Sequence, residues 1–147
     1  MTTRAQTTHR IALVLSILLA FGMFGTAAAV AEEGGGERVF ELRTYITLDG
    51  RLDALNKRFR EHTIGLFEKH GMTVMGFWEP TDAEKGKGNT LIYMLAFPSE
   101  EARSASWKAF AEDPEWKKVA AESQKDGKII ERIESVLMAP TDYSSVR

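Results

Sequence analysis

The residue of this chain best suited to acid–base chemistry is His62, within the segment RFREHTIGLFEKHGM. Apolar side chains at positions 55, 59 and 66 recur around it with the spacing of one helix face. An imidazole on that face, turned toward a pocket, can act as a general base or bind a hydroxyl group. The alternative is a structural histidine whose nitrogens are satisfied by the backbone or by Thr44, since buried polar groups usually find partners.

Four further side chains are candidates for contacting a ligand. Trp78 and Trp107 offer wide apolar rings with one donor each, which suit the wall of a pocket for a flat molecule. Tyr45 supplies a hydroxyl group, and Arg43 supplies a guanidinium that can bind a carboxylate. The alternatives are core packing for the tryptophans and, for Arg43, a structural ion-pair network with Glu41 at an interface between two copies of the chain.

Metal, cofactor and covalent chemistry are not indicated. The chain has no cysteine, so a thiol nucleophile and thiolate metal sites are excluded. His62 and His70 do not have the i, i+4 spacing of a helical metal site, and we interpret His70 as a cap at a helix C-terminus. The segment EKGKGN lacks the G-K-[ST] of a phosphate loop. We therefore predict no metal and no cofactor.

Residues 1–31 have the order of a secretory signal peptide. A basic start precedes an apolar run at 11–24, and Ala29 and Ala31 form an A-x-A cleavage site. We predict cleavage between Ala31 and Glu32 and export to a periplasmic or extracellular space. The alternative is an uncleaved membrane anchor over residues 11–31, which is the only membrane association that the sequence suggests.

The charge of the mature chain argues against a nucleic-acid partner. The whole chain has 19 basic and 21 acidic residues. Removing Arg4 and Arg10 with the signal segment leaves 19 − 2 = 17 basic residues and a net charge of 17 − 21 = −4. A mildly acidic domain without a basic stripe does not attract phosphate backbones.

The mature chain divides into a glycine-rich leader at 32–38, a domain at 39–138 and a polar tail at 139–147. Alternating or continuous apolar patterns predict strands at 39–47, 73–79, 90–97 and 128–138. Helical spacing and capping residues predict helices at 51–70, from Ser99 and from Pro114.

This order is β-α-β-β-α-β, which predicts an α+β ferredoxin-like fold with a four-stranded antiparallel sheet. In the first strand, we expect the apolar set to face the helices: Phe40, Leu42, Thr44 and Ile46. We expect the polar set to face away from them: Glu41, Arg43 and Tyr45. The sheet face without helices needs a cover, and we expect a second copy of the chain to provide it as a homodimer.

Four segments in this order resemble the NIPSNAP family: FELRTYIT, FREHTIGLFEKHGM, GFWEP and WKAFAEDPEWKKV. The resemblance extends over residues 39–137 and implies membership of the dimeric α+β barrel superfamily. In that superfamily small substrates bind between the helices and the sheet, and members include cofactor-free monooxygenases, haem-degrading enzymes and dehydratases.

Three functions are compatible with these observations. The first is a binding module that holds a small apolar or aromatic ligand without turnover. The second is a cofactor-independent enzyme of the monooxygenase or isomerase type, with His62 as the acid–base group and Trp78 and Tyr45 as positioning residues. The third is a non-catalytic structural or interaction module. A single titratable group in the predicted pocket favours binding over catalysis.

Overall fold

The computed structural model describes residues 37–146. The predicted signal peptide, its cleavage site and most of the glycine-rich leader lie outside the described residues. The strands are β1 (Val39–Thr47), β2 (Thr73–Trp78), β3 (Thr90–Phe97) and β4 (Ile130–Met138). The helices are α1 (Leu52–Arg58), α2 (Ile64–Lys69), α3 (Glu100–Glu112) and α4 (Pro114–Glu122), with a π-turn at Phe59–Thr63 and a 3₁₀ turn at Ala83–Lys85.

The four strands form one sheet in the order β2-β3-β1-β4, and every neighbouring pair is antiparallel. The predicted ferredoxin-like α+β fold is therefore confirmed. Local signals position the last two helices as expected. The Ser99 hydroxyl accepts the Ala102 N–H at 3.2 Å to begin α3, and the Asp113 carboxylate accepts the Glu115 N–H at 2.7 Å to begin α4.

A π-turn interrupts what the sequence predicts as one continuous helix. The Ile64 N–H bonds the Phe59 carbonyl, an i→i+5 bond, which widens the turn by one residue. The Thr63 hydroxyl donates to the carbonyl of Arg58 at 3.2 Å, and Thr63 is buried. Thr63 thus occupies the inward position above Phe59, while His62 points outward.

The two faces of β1 are the reverse of the expectation. Glu41 bonds side chains of α3, and the Tyr45 ring lies 5.9 Å from the Phe59 ring, so the polar set faces the helices. Alternation shows which residues share a face, but it does not show which face is covered. The polar set is buried because it finds hydrogen-bond partners there.

The helix side of the sheet holds the core, whereas the other side is open. Tyr93, Leu95, Leu55 and Phe67 are fully buried on the helix side. The open side carries half-buried apolar residues from β1 and β3 and two exposed ones, Trp78 and Val136. Within residues 37–146, no helix is long and apolar enough to cross a membrane.

Candidate functional site: a saturated carboxylate beside an aromatic cavity

Glu41 lies at the centre of a buried polar cluster on the helix side of β1. Its carboxylate accepts five hydrogen bonds: from Arg43 Nη1 at 2.7 Å, Arg103 Nε at 2.7 Å and Nη2 at 3.0 Å, Trp107 Nε1 at 2.7 Å, and Ser135 Oγ at 2.6 Å. Burial alone would raise the pKa of Glu41, but the bonds from Arg103, Ser135, Trp107 and Arg43 together lower it to about 2.

The Glu41 cluster joins three elements and leaves no spare acceptor. Arg103 and Trp107 come from α3 and Ser135 from β4, so the carboxylate on β1 ties the helix layer to the sheet edge. An ionised carboxylate with this many donors is a poor base. The sequence suggested that Glu41 and Arg43 pair across an interface between two copies of the chain. That interpretation is wrong, because the pair forms within one chain, on the helix side of the sheet.

Trp107 belongs to this cluster rather than to a pocket wall. Its N–H is used on Glu41, its ring lies 5.6 Å from the Phe67 ring, and the Arg43 guanidinium lies 4.5 Å from its centroid. Arg43 also donates to the Tyr45 hydroxyl at 3.4 Å. The polar groups of Trp107 and Arg43 therefore bond mainly to other side chains of the same chain, which leaves little for a ligand.

An aromatic cavity of about 180 Å³ lies next to the cluster, between the helices and the sheet. It is continuous with the core and is walled mainly by aromatic rings. Its aromatic lining residues are Tyr45, Phe59, Phe67, Phe110 and Trp116. Arg58, Thr63 and Gln124 also line it and, with the Tyr45 hydroxyl, add a few polar groups to an apolar body.

Arg58, at the end of α1, is the unusual member of this lining. Only 4 % of its surface is exposed, and burial lowers the pKa of its guanidinium from the ordinary value. No carboxylate among residues 37–146 pairs with it; its Nη1 lies 3.4 Å from the Ser123 hydroxyl, a long contact, and its Nε has no partner. The guanidinium stacks over the Trp116 ring at 5.4 Å.

Two tyrosines bring hydroxyl groups to the same interior. Tyr45 lines the cavity, and its ring lies 5.2 Å from that of Tyr93. The Tyr93 hydroxyl is fully buried and makes no hydrogen bond within residues 37–146. Burial raises the pKa of Tyr93 well above its ordinary value, and the protonated hydroxyl can donate.

His62 lies outside this cavity, on the rim of a groove of about 520 Å³ between α1 and α4. Its side chain is 47 % exposed, and its Nε2 is 4.0 Å from a Glu61 carboxylate oxygen. The expected position of His62 on the sheet-facing side is wrong because the π-turn places Thr63 there. Arg58 lines both the groove and the cavity, so it lies between them.

Trp78 lies on the opposite side of the sheet from the cavity. Phe77 contacts the Phe59 ring at 5.6 Å on the helix side, which leaves Trp78 on the open face, half exposed. Its ring covers Gly76 so closely that a Cβ at position 76 would lie 2.8 Å from it. The expectation that Trp78 walls the same pocket as His62 is therefore wrong.

Within residues 37–146 the second histidine, His70, has a structural role. His70 Nε2 lies 2.7 Å from the Asp113 carboxylate, which also pairs with Lys69 at 2.8 Å, so this group fixes the end of α2 against the start of α4. Bonds from Lys69 and His70 lower the pKa of Asp113. In the described part of the chain, no group of three or more His, Asp or Glu side chains is placed to hold a metal ion.

Sequence reasoning selected Tyr45 and Arg43, which lie in or beside the site, and missed Arg58 and Thr63. A usable sign was present: Arg58 follows Leu55 by three residues and precedes Phe59, so it falls on the apolar helix face. An arginine on the apolar face of a helix is a candidate buried charge.

The fold defines a ferredoxin-like α+β domain, and a small aromatic cavity lies between its helices and its sheet. The sequence profile of NIPSNAP matches residues 40–145. The chain therefore belongs to the NIPSNAP family, as its motifs predicted.

Solved structures of the family have the same fold. A NIPSNAP family protein from Agrobacterium tumefaciens is 23 % identical, with a TM-score of 0.65, over 75 % of this chain and 99 % of that one. A second, of unknown function, from the same organism is 23 % identical, with a TM-score of 0.65, over 77 % and 96 %. An uncharacterised NIPSNAP domain protein from Burkholderia xenovorans is 22 % identical, with a TM-score of 0.61, over 72 % and 97 %. No curated protein matches the chain in sequence.

Proposed function

We propose that this NIPSNAP domain binds one small apolar or aromatic molecule in the aromatic cavity and releases it unchanged. The cavity itself carries the proposal: its volume is about 180 Å³ and its walls are mainly rings. An apolar cavity of about 150 Å³ holds a benzene molecule, so this one has room for a single ring-sized ligand.

The polar groups of the cavity support binding rather than turnover. Arg58, Thr63 and Tyr45 present a guanidinium and two hydroxyl groups, which orient a ligand by hydrogen bonding. Acid–base catalysis is most efficient with a group whose pKa lies near the working pH. The nearby carboxylate of Glu41 is ionised and saturated, and Tyr93 stays protonated.

A larger side chain at a lining position should fill the cavity and block binding. Ala120 lines the cavity and Ala121, its neighbour on α4, is exposed. We expect native mass spectrometry of the purified protein to show a small molecule in the wild type and in Ala121→Leu but not in Ala120→Leu. Calorimetric titration with indole and toluene should show the same difference. Equal binding of both probes by all three proteins would contradict a site in the cavity.

We also propose that a second copy of the chain covers the open sheet face. Trp78 and Val136 are exposed there, which leaves an apolar surface typical of an interface. Two-fold contacts place a patch against itself, so the patch must be self-complementary. Arg132 and Glu134 of β4 carry opposite charges on this face, which supports such a pairing.

Light scattering on the mature domain at micromolar concentration tests the homodimer. We expect twice the mass of one chain for the wild type and for the control Ala111→Arg, which changes an exposed position on α3. Val136→Arg should shift the mass toward that of one chain. A monomeric wild type would contradict the proposed pairing.

Finally, we propose export of the mature domain, with the first 31 residues as the signal. The support is the order of basic, apolar and small residues before Glu32. Mass spectrometry of the protein from the extracytoplasmic fraction should identify a chain that begins at Glu32. A full-length chain in the membrane fraction would support the anchor instead.

A further inference from the structure

We infer that the ligand of the aromatic cavity is a monocarboxylate, and that Arg58 binds its carboxylate group while the rings enclose its apolar part. This inference rests on the proposed function, because it specifies the class of molecule that the cavity holds. It adds a charge requirement that an apolar cavity alone does not imply.

The buried positive charges on the helix side of the sheet are unequally compensated. On the helix side of the sheet, Arg43 and Arg103 both bond the Glu41 carboxylate, and that carboxylate accepts no bond from Arg58. The described residues thus give Arg58 no counter-charge, although only 4 % of it is exposed. Burying a charge without a partner is costly, and a bound anion relieves that cost.

The guanidinium of Arg58 keeps bonding capacity beside the cavity. Arg58 lines the cavity, its Nη1 lies 3.4 Å from the Ser123 hydroxyl, and its Nε has no hydrogen-bond partner among residues 37–146. A guanidinium presents a planar fork of donors that matches the two oxygens of a carboxylate. The free Nε and the uncompensated charge of Arg58 together favour a carboxylate over a neutral carbonyl.

The part of the cavity away from Arg58 is small and apolar. About 180 Å³ walled by Phe59, Phe67, Phe110 and Trp116 suits one ring or a short branched chain. A phosphate or a dicarboxylate would add a second negative charge for which the cavity offers no second free cation among the described residues. The ligand class is therefore a small aromatic or branched aliphatic acid with one carboxylate.

A set of matched ring compounds separates charge from shape. Benzoate, benzamide and benzyl alcohol differ little in size, but only benzoate carries a charge at neutral pH. By calorimetric titration of the intact mature protein, we expect benzoate to bind roughly 10- to 100-fold more tightly than the two neutral compounds, the range for a charge-assisted pair. Similar affinities for all three would overturn the carboxylate inference while leaving the proposed apolar site in place.

Variants then assign the preference to Arg58. Arg58→Met should abolish the preference for benzoate and retain benzyl alcohol, and Arg58→Lys should restore part of the preference. Arg60→Met, an exposed position on the same helical segment, should behave as the wild type.

Two other outcomes have distinct meanings. If no ring compound binds any of these proteins, the proposed function and this inference both fail. If Ala120→Leu leaves benzoate binding intact while Arg58→Met removes it, the anion binds in the outer groove and the placement in the cavity is overturned.

Discussion

Glu41 and Arg58 are two buried charges on the same side of one sheet, with opposite surroundings. Glu41 is completely buried and accepts five hydrogen bonds from four side chains. Arg58 is 4 % exposed and has one long contact to a hydroxyl group. The charge of Glu41 is fully compensated, whereas no carboxylate in the described part of the chain pairs with Arg58.

We infer that this difference separates a structural site from the proposed binding site. A buried charge whose partners all come from the same chain holds elements together and has little left to offer a ligand. A buried charge without partners lowers stability and persists where function needs it. The contrast therefore assigns Glu41 to the fold and Arg58 to the cavity, although both belong to polar residue types.

The strongest test removes the charge of Glu41 and keeps its shape. Glu41→Gln leaves Arg43 and Arg103 without their counter-charge, so we expect the free energy of unfolding to fall by about 3 to 5 kcal/mol in urea titrations. The control is Glu112→Gln, which breaks an exposed ion pair with Lys108 on α3. That change should stay within about 0.5 kcal/mol. Equal small losses from both variants would show that the Glu41 cluster is not structural.

Acid should weaken the same cluster. The pKa of Glu41 is about 2 in the folded chain against an ordinary value of 4.5, a difference equivalent to about 3 kcal/mol. A lowered folded pKa means that this stabilisation is complete above the ordinary pKa and is lost as the pH falls from about 4.5 toward about 2. An NMR titration of the Glu41 carboxyl carbon measures the midpoint directly. A midpoint near 4.5 would contradict the cluster as described.

Arg58→Met should stabilise the protein, whereas Glu41→Gln should destabilise it. It removes an unpaired buried charge and fills the space with a flexible apolar chain, so we expect the free energy of unfolding of the ligand-free protein to rise by about 1 to 2 kcal/mol. Arg60→Met, at an exposed position, should change it by less than about 0.5 kcal/mol. A loss of stability in Arg58→Met would mean that Arg58 has compensation within the protein, and the comparison with Glu41 would fail.

The smallest effect is expected from Thr63→Val. The Thr63 hydroxyl holds the carbonyl of Arg58 in the π-turn, so its loss should lower the free energy of unfolding by about 1 kcal/mol. Thr81→Val, in an exposed loop, is the matched control and should be neutral. Urea unfolding of the two variants side by side measures the difference. No difference would show that the π-turn persists without this bond.

Much of the fold was predictable because its signals are local. The alternation in VFELRTYIT, the caps at Ser99 and Asp113 and the order of the elements predicted the strands, the start of two helices and the ferredoxin-like topology. The π-turn was not predictable, because an extra residue in a helical turn leaves the apolar spacing nearly unchanged. Because the π-turn was missed, the sequence interpretation placed His62 in the interior, whereas the structure places it on the surface.

The amino-acid pattern alone establishes the family, the strands and helices and the residues that share each face. Which face of β1 the helices cover, and hence that Glu41 is saturated while Arg58 is not, follows from long-range packing. The two kinds of information differ in the sequence distance over which they act. Periodicity and capping act between residues a few positions apart, whereas Glu41 meets partners at positions 103, 107 and 135, which packing alone brings to it.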